Sequence, residues 1–204
     1  MATDPFLSTR ETRETHGARE PSFNISSRQM GVWIFFGCLT VLFTGTIIAY
    51  LVTRMQTPVW RTAQLPPLPI GLWGSTALLV GVSVSMHSAL KSARANRFDA
   101  LAWRLWLALL FAAAFLVGQA LNWTQMRPTT GSVRSLYVFT FFMLTGLHAL
   151  HVLGGFVPLG LVIARAHRRE YSSSRHEGVT FCKQYWDFLF VVWLVLLFTM
   201  YMVT

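Results

Sequence analysis

LYVFTFFMLTGLHALHVLGGFVPLGLVIA, running from Leu136 to Ala164, contains no Asp, Glu, Lys or Arg. A helix that crosses the hydrocarbon of a bilayer needs roughly 20 such residues, because no water is available there and each backbone N–H and C=O must be satisfied within the segment. The stretch exceeds that length and predicts a transmembrane helix that tilts or projects from the bilayer. Four further runs read the same way, over about 30–53, 69–90, 101–122 and 184–204. The expected fold is therefore all-α, an integral membrane bundle of five transmembrane helices within residues 30–204, preceded by a flexible tail over residues 1–29.

Composition agrees. Of 204 residues, 53% are hydrophobic, and the mean hydropathy is +0.47, well above an ordinary soluble domain. The formal net charge is +9, but the bases sit between apolar runs rather than on one continuous face, which excludes nucleic acid as the partner. Cys38 lies inside one apolar run and Cys182 just before another, so they do not form a disulfide framework and are expected to be reduced. The first 28 residues alternate Arg with Glu and lack the apolar centre of a cleavable signal.

Orientation follows from Lys and Arg, which favour the cytoplasmic side. Arg10, Arg13, Arg19 and Arg28 lie in the tail, Lys91, Arg94, Arg97 and Arg104 around the second connection, and Arg165, Arg168, Arg169, Arg175 and Lys183 around the fourth. The opposite side has only Arg54, Arg61, Arg127 and Arg134. The N-terminus is expected in the cytoplasm and the C-terminus on the periplasmic side. Trp60, Trp123 and Tyr137 suit the outer interface, and Trp103, Trp106, Tyr171 and Tyr185 the inner one. Leu65-Pro66-Pro67-Leu68-Pro69 makes a rigid entry to the second span, and Tyr171 to Glu177 reads as an inner loop.

Ionisable side chains in lipid are costly and need an account. No Asp, Glu or Lys lies deep in the first four spans, which argues against an autonomous transporter or pump. His148 and His151, three apart, share one face of the fourth span, and Thr145, Val152 and Gly155 continue the stripe with Gly154 beside it. Two readings stand: a haem or metal ligand pair, or histidines hydrogen-bonded within the bundle on a small-residue face that lets helices approach. His87, aligned with Thr76 and Ser83 near the inner end of the second span, is the only partner for a cross-helix haem. Gln119 and Asn122 either bond across helices or are solvated at the outer interface. Asp187 reads as a carboxylate at a helix start, within reach of Lys183 and favoured by the helix dipole, or as a group that gathers protons.

These residues carry a resemblance. Phe141 to Gly155, FFMLTGLHALHVLGG, resembles the FFxxTGxHxxHVxxG helix of haem-copper oxidase subunit III. Tyr185 to Trp193, YWDFLFVVW, resembles that family's YWHFVDVVW. Phe115, Leu116, Gln119, Asn122 and Trp123 resemble FLxxQxxEW, and Gly31, Trp33 and Phe35 resemble GxWxF. Five helices match the bacterial form that lacks two N-terminal helices. The chain departs from the pattern where the family's first-span glutamate aligns with Leu39, its third-span glutamate with Asn122, and its fifth-span histidine and aspartate with Asp187 and Phe190.

The resemblance implies a non-catalytic subunit of a bacterial terminal oxidase in the inner (cell) membrane. It would hold no haem or copper, would pack against catalytic subunit I and the other subunits, which carry those centres, and would bind structural phospholipids. It further implies a two-plus-three arrangement of helices around a lipid-filled cleft. Residues expected at that cleft or at subunit contacts are Trp33, His87, Gln119, His148, His151, Gly154, Gly155, Tyr185, Trp186, Asp187 and Trp193. The alternatives are an accessory subunit-III-like protein of a nitric oxide reductase and a small b-type cytochrome ligated by His87 with His148 or His151.

Overall fold

The computed structural model describes residues 27–58, 67–126, 136–172 and 176–203. The expectations for residues 1–26 of the tail, for Trp60, Leu65 and Pro66, and for Arg61, Arg127, Arg134 and Arg175 lie outside these residues, whereas residues 27–29 of the expected tail are helical. Among the described residues, five helices follow one another: α1 (Ser27–Gln56), α2 (Gly71–Arg94), α3 (Phe98–Gln125), α4 (Leu136–His167) and α5 (Glu177–Val203). By contacts the chain divides into two compact units, Met1–Val41 and Leu42–Thr204, with the boundary inside α1.

Among the described residues, four helices are long and apolar enough to cross a membrane: Gln29–Gln56, Phe98–Gln125, Leu136–His167 and Glu177–Met202. The span expected over 69–90 forms as α2 but does not reach that apolar composition, since glycines and hydroxyl residues interrupt it and its last turn carries Lys91 and Arg94. α5 begins seven residues before its expected start, with Glu177 in the first turn where the helix dipole favours an acid. α4 continues through Pro158, whose missing N–H leaves the Gly154 carbonyl without its usual helical donor.

Within Leu42–Thr204, α2 packs along α3 and α5, α3 along α4, and α4 along α5, closing a ring of four helices. The expected separation of the first two helices from the last three is not shown, because α2 is held on both sides. Its glycines allow the approach: a Cβ on Gly81 would meet the Phe111 ring at 2.9 Å, and one on Gly71 would fall on the Asn122 amide. The later part of α1 contributes Phe43 and Tyr50 to the buried set, with the Phe43 ring 4.9 Å from that of His151.

Two tight turns lie at the same end of the ring. After α2, Asn96 takes φ 53, while the Arg97 N–H donates to Ser92 O and that of Asn96 to Ala93 O. After α4, Arg169 takes φ 54, with Glu170 N–H donating to Arg165 O and Arg169 N–H to Ala166 O. Both are left-handed helix stops that satisfy otherwise orphaned carbonyls. Asn suits this conformation, whereas Arg169 adopts it at a cost. Trp106 Nε1 donates to His167 Nε2 at 3.0 Å, and Arg169 lies 3.9 Å from Asp99, so the start of α3 and the end of α4 coincide. Lys91, Arg94, Arg104, Arg165 and Lys183 thus gather at one end of the ring.

Candidate functional site

Two polar regions stand out, one inside the ring and one on its flank. In the interior, each packed helix pair is joined by a cross-helix hydrogen bond. Asn122 Nδ2 on α3 donates to Ser75 Oγ on α2 at 3.2 Å, and Trp193 Nε1 on α5 donates to Thr76 Oγ1 at 2.9 Å. Trp123 Nε1 donates to Thr145 Oγ1 between α3 and α4 at 3.0 Å. Tyr185 Oη on α5 donates to the His151 carbonyl on α4 at 2.7 Å. The three hydroxyls donate in turn to the carbonyl four residues earlier, Ser75 to Gly71, Thr76 to Leu72 and Thr145 to Phe141. Bonds of this kind connect membrane helices without exposing a polar group to lipid.

His148 sits at the centre of this layer and is fully buried. Trp193, Phe115 and Phe43 surround its ring, with centroids at 5.1, 5.7 and 6.3 Å. Neither ring nitrogen has a hydrogen-bond partner among the described residues, and the same is true of the Gln119 amide. The expected hydrogen bonding within the bundle is therefore made by His151, whose Nδ1 lies 2.8 Å from Leu147 O, and not by His148. The helical stripe is as expected: Thr145, His148, Val152 and Gly155 are all buried, while Gly154 is exposed. A Cβ on Gly155 would meet Tyr185 at 2.9 Å and Trp186 at 3.0 Å, so this glycine sets how closely α4 and α5 approach.

Several expected positions move inward. Gln119 and Asn122 are 1% and 2% exposed, which removes the interfacial-solvation reading. Tyr137 and Tyr185 are buried rather than placed in an aromatic belt, whereas Trp103 and Trp106 are exposed as expected. Trp186 and Trp193 are core residues. Trp33, in the first unit, is 74% exposed.

The second region is a groove between α2 and α5 at the basic end of the ring. It encloses about 610 Å³ and is lined by Ser83, Val84, His87, Ser88, Lys91, Lys183, Asp187, Phe190 and Val191. Asp187 accepts from Ser83 Oγ at 2.5 Å and from Lys183 Nζ at 2.5 Å. It lies well inside α5 rather than at its start, so an ion pair and a hydroxyl, not the helix dipole, hold the carboxylate. Arg104 Nη1 donates to the Ser88 carbonyl at 2.7 Å and to Ser92 Oγ, which ties α3 to the back of this part of α2.

His87 and His148 do not converge. One lines the open groove and the other lies inside a box of aromatic rings, which leaves a porphyrin no place on His148. Among the described residues, no group of three or more His, Cys, Asp or Glu is arranged to hold a metal ion. Sequence reading missed Ser75, Ser92 and Lys91 as participants, and the pairing of Ser83 with Asp187. The sequence signal for the three serines was the hydroxyl content of α2.

Residues 18–204 match the family model described as cytochrome c oxidase subunit III. Among similar proteins, cytochrome c oxidase subunit 3 of Synechocystis sp. is 31% identical over 86% of this chain and 75% of its own. That of Corynebacterium diphtheriae is 31% identical over 85% and 87%. That of Thermostichus vulcanus is 26% identical over 93% and 92%.

Proposed function

This chain belongs to the cytochrome c oxidase subunit III family, and from that premise we propose that it is a non-catalytic subunit of a haem-copper terminal oxidase in a bacterial inner membrane. Its work is to stabilise the catalytic subunit that reduces oxygen to water and to support that subunit's proton and oxygen supply. The haem and copper belong to the partners, with catalytic subunit I the main one, and phospholipids cover the outer faces. α2 crosses the bilayer with the other four helices, with Ser75 and Thr76 spent on bonds to α3 and α5 rather than on lipid. The basic end faces the cytoplasm, which puts the N-terminus inside and the C-terminus outside.

The observation that carries this reading is the match over 18–204. The interior supports it, since Asn122, Trp123, Trp193 and Tyr185 spend their donors on neighbouring helices. Gentle detergent extraction followed by identification of copurifying chains and haems tests it. Recovery with the large haem- and copper-bearing subunit of an oxidase is the expected result. Recovery with nitric oxide reductase subunits instead, or a stoichiometric b-type haem on the isolated chain, would overturn it.

A further inference from the structure

We propose that the contact between Trp106 and His167 is a pH-responsive clasp at the basic end of the ring: neutral His167 holds the last turn of α4 against α3, and protonated His167 releases it. The proposal rests on the geometry where α3 starts and α4 ends, and not on which complex the chain joins. On the orientation given above this end faces the cytoplasm, so the clasp responds to cytoplasmic acidity.

The chemistry of the bond makes it conditional. Trp106 Nε1 stands 3.0 Å from His167 Nε2, with the ring centroids 6.4 Å apart. An indole N–H only donates, so the bond exists only while Nε2 keeps its lone pair and the imidazole proton sits on Nδ1. A second proton makes both ring nitrogens donors, which sets two N–H groups against each other. Imidazole is the side chain that takes up such a proton in the neutral range. Trp106 is 48% exposed and His167 is exposed, so the proton arrives without any opening of the core. His148, sealed among aromatic rings, has no such access.

Release follows because the turn is strained and lightly fastened. Arg169 takes φ 54, a conformation costly for a residue with a Cβ. Its guanidinium rests on the start of α3, 3.9 Å from Asp99 and 6.0 Å from the Phe98 ring centroid. The two side chains of that ion pair are 70% and 99% exposed, so the pair contributes little. On α4 itself Arg165, Arg168 and Arg169 lie within two residues of His167, and an imidazolium adds a fourth cation to them. α4 packs on α3 and α5. From α3 come Arg97, Asp99 and Arg104, of which Arg104 is spent on Ser88 and Ser92 of α2. From α5 come Glu177 and Lys183, the latter held by Asp187, and Glu170 follows α4. Asp99 is two turns from Trp106 on the same face of α3, so the one acid along this seam lies away from the indole and draws an imidazolium off it. The clasp is therefore closed at higher pH and opens as the pH falls.

The test is hydrogen exchange, read by mass spectrometry, on the full chain in the complex in which it is extracted. The amides of Arg168, Arg169 and Glu170 donate to Ala164, Ala166 and Arg165, so they report whether the turn is held. Their protection, corrected for the intrinsic pH dependence of exchange, should fall about threefold from about pH 8 to about pH 5, toward the low end of what one neutral hydrogen bond contributes. His167→Gln keeps an acceptor that does not titrate and should remain protected at both values. His167→Lys should be as unprotected at the higher pH as the unaltered chain is at the lower one, and Trp106→Phe should lose protection at the higher pH and flatten the response. Equal protection of the unaltered chain at both values would overturn the proposal. A fall that survives His167→Gln would assign the response to another group, such as Asp99, and one that survives Trp106→Phe at full size would assign it to crowding of charge alone. Both results overturn the proposal. The comparison on the unaltered complex needs no variant, so it stands even if a substituted chain fails to assemble.

Discussion

The interior around His148 and the groove around Asp187 use similar side chains to opposite ends. Each contains a histidine, hydroxyls of α2 and an aromatic of α5. Inside, Asn122, Trp123, Trp193 and Tyr185 direct their donors onto neighbouring helices, so the polar groups act as fasteners. In the groove, one carboxylate is held by two donors while His87 and Lys91 face outward, so charge remains available to something outside the chain. What a polar residue does in this fold follows from which side of the ring it faces, more than from its chemical type.

That contrast can be broken most severely at Gly155. Gly155→Val should lower stability by about 3 kcal/mol, read as a large fall in melting temperature in detergent, because the new methyls meet the buried Tyr185 and Trp186 rings. Gly81→Ala should cost less, since Phe111 is only half-buried and can swing aside. If the two substitutions prove equal, the α4–α5 approach is not the tighter one.

Next comes Thr145→Val, which keeps the shape and removes the acceptor for the Trp123 indole. A loss of about 1 kcal/mol is expected, with a shift in the Trp123 fluorescence reporting the lost bond. An unchanged spectrum and melting temperature would show that this fastener carries no load.

His148→Leu sharpens the comparison through its sign. The ring nitrogens lack partners among the described residues, and an apolar side chain of similar size avoids their desolvation cost. The change should be neutral or stabilising by up to about 1 kcal/mol in an unfolding titration. A drop beyond 2 kcal/mol, on the scale of a buried hydrogen bond lost, would mean that His148 is held by a bond of its own.

The smallest effect belongs to the groove. Ser83→Ala removes one of two donors to a half-buried carboxylate that keeps its Lys183 partner, so a loss of about 0.5 kcal/mol is expected. An effect as large as that of Gly155→Val would make the groove a fastener like the interior and erase the distinction.

The amino-acid sequence alone determined the helical class, four of the membrane-crossing segments, the sharing of one buried face by Thr145, His148, Val152 and Gly155, and the family. These depend on composition, on the 3.6-residue period and on motif, all of which are local. Tertiary structure alone decided that α2 lies between α3 and α5, that Gln119 and Asn122 face inward, and that Ser83 meets Asp187 across 104 positions of chain. It also decided that α5 begins before its apolar run, which moved Asp187 from a helix start to a groove wall. The reason is that a helix's own hydropathy reports how it would fare in lipid. Whether a hydroxyl or an imidazole ends in lipid, in the interior or in a groove depends on which neighbouring helix covers it, and no stretch of sequence contains that partner.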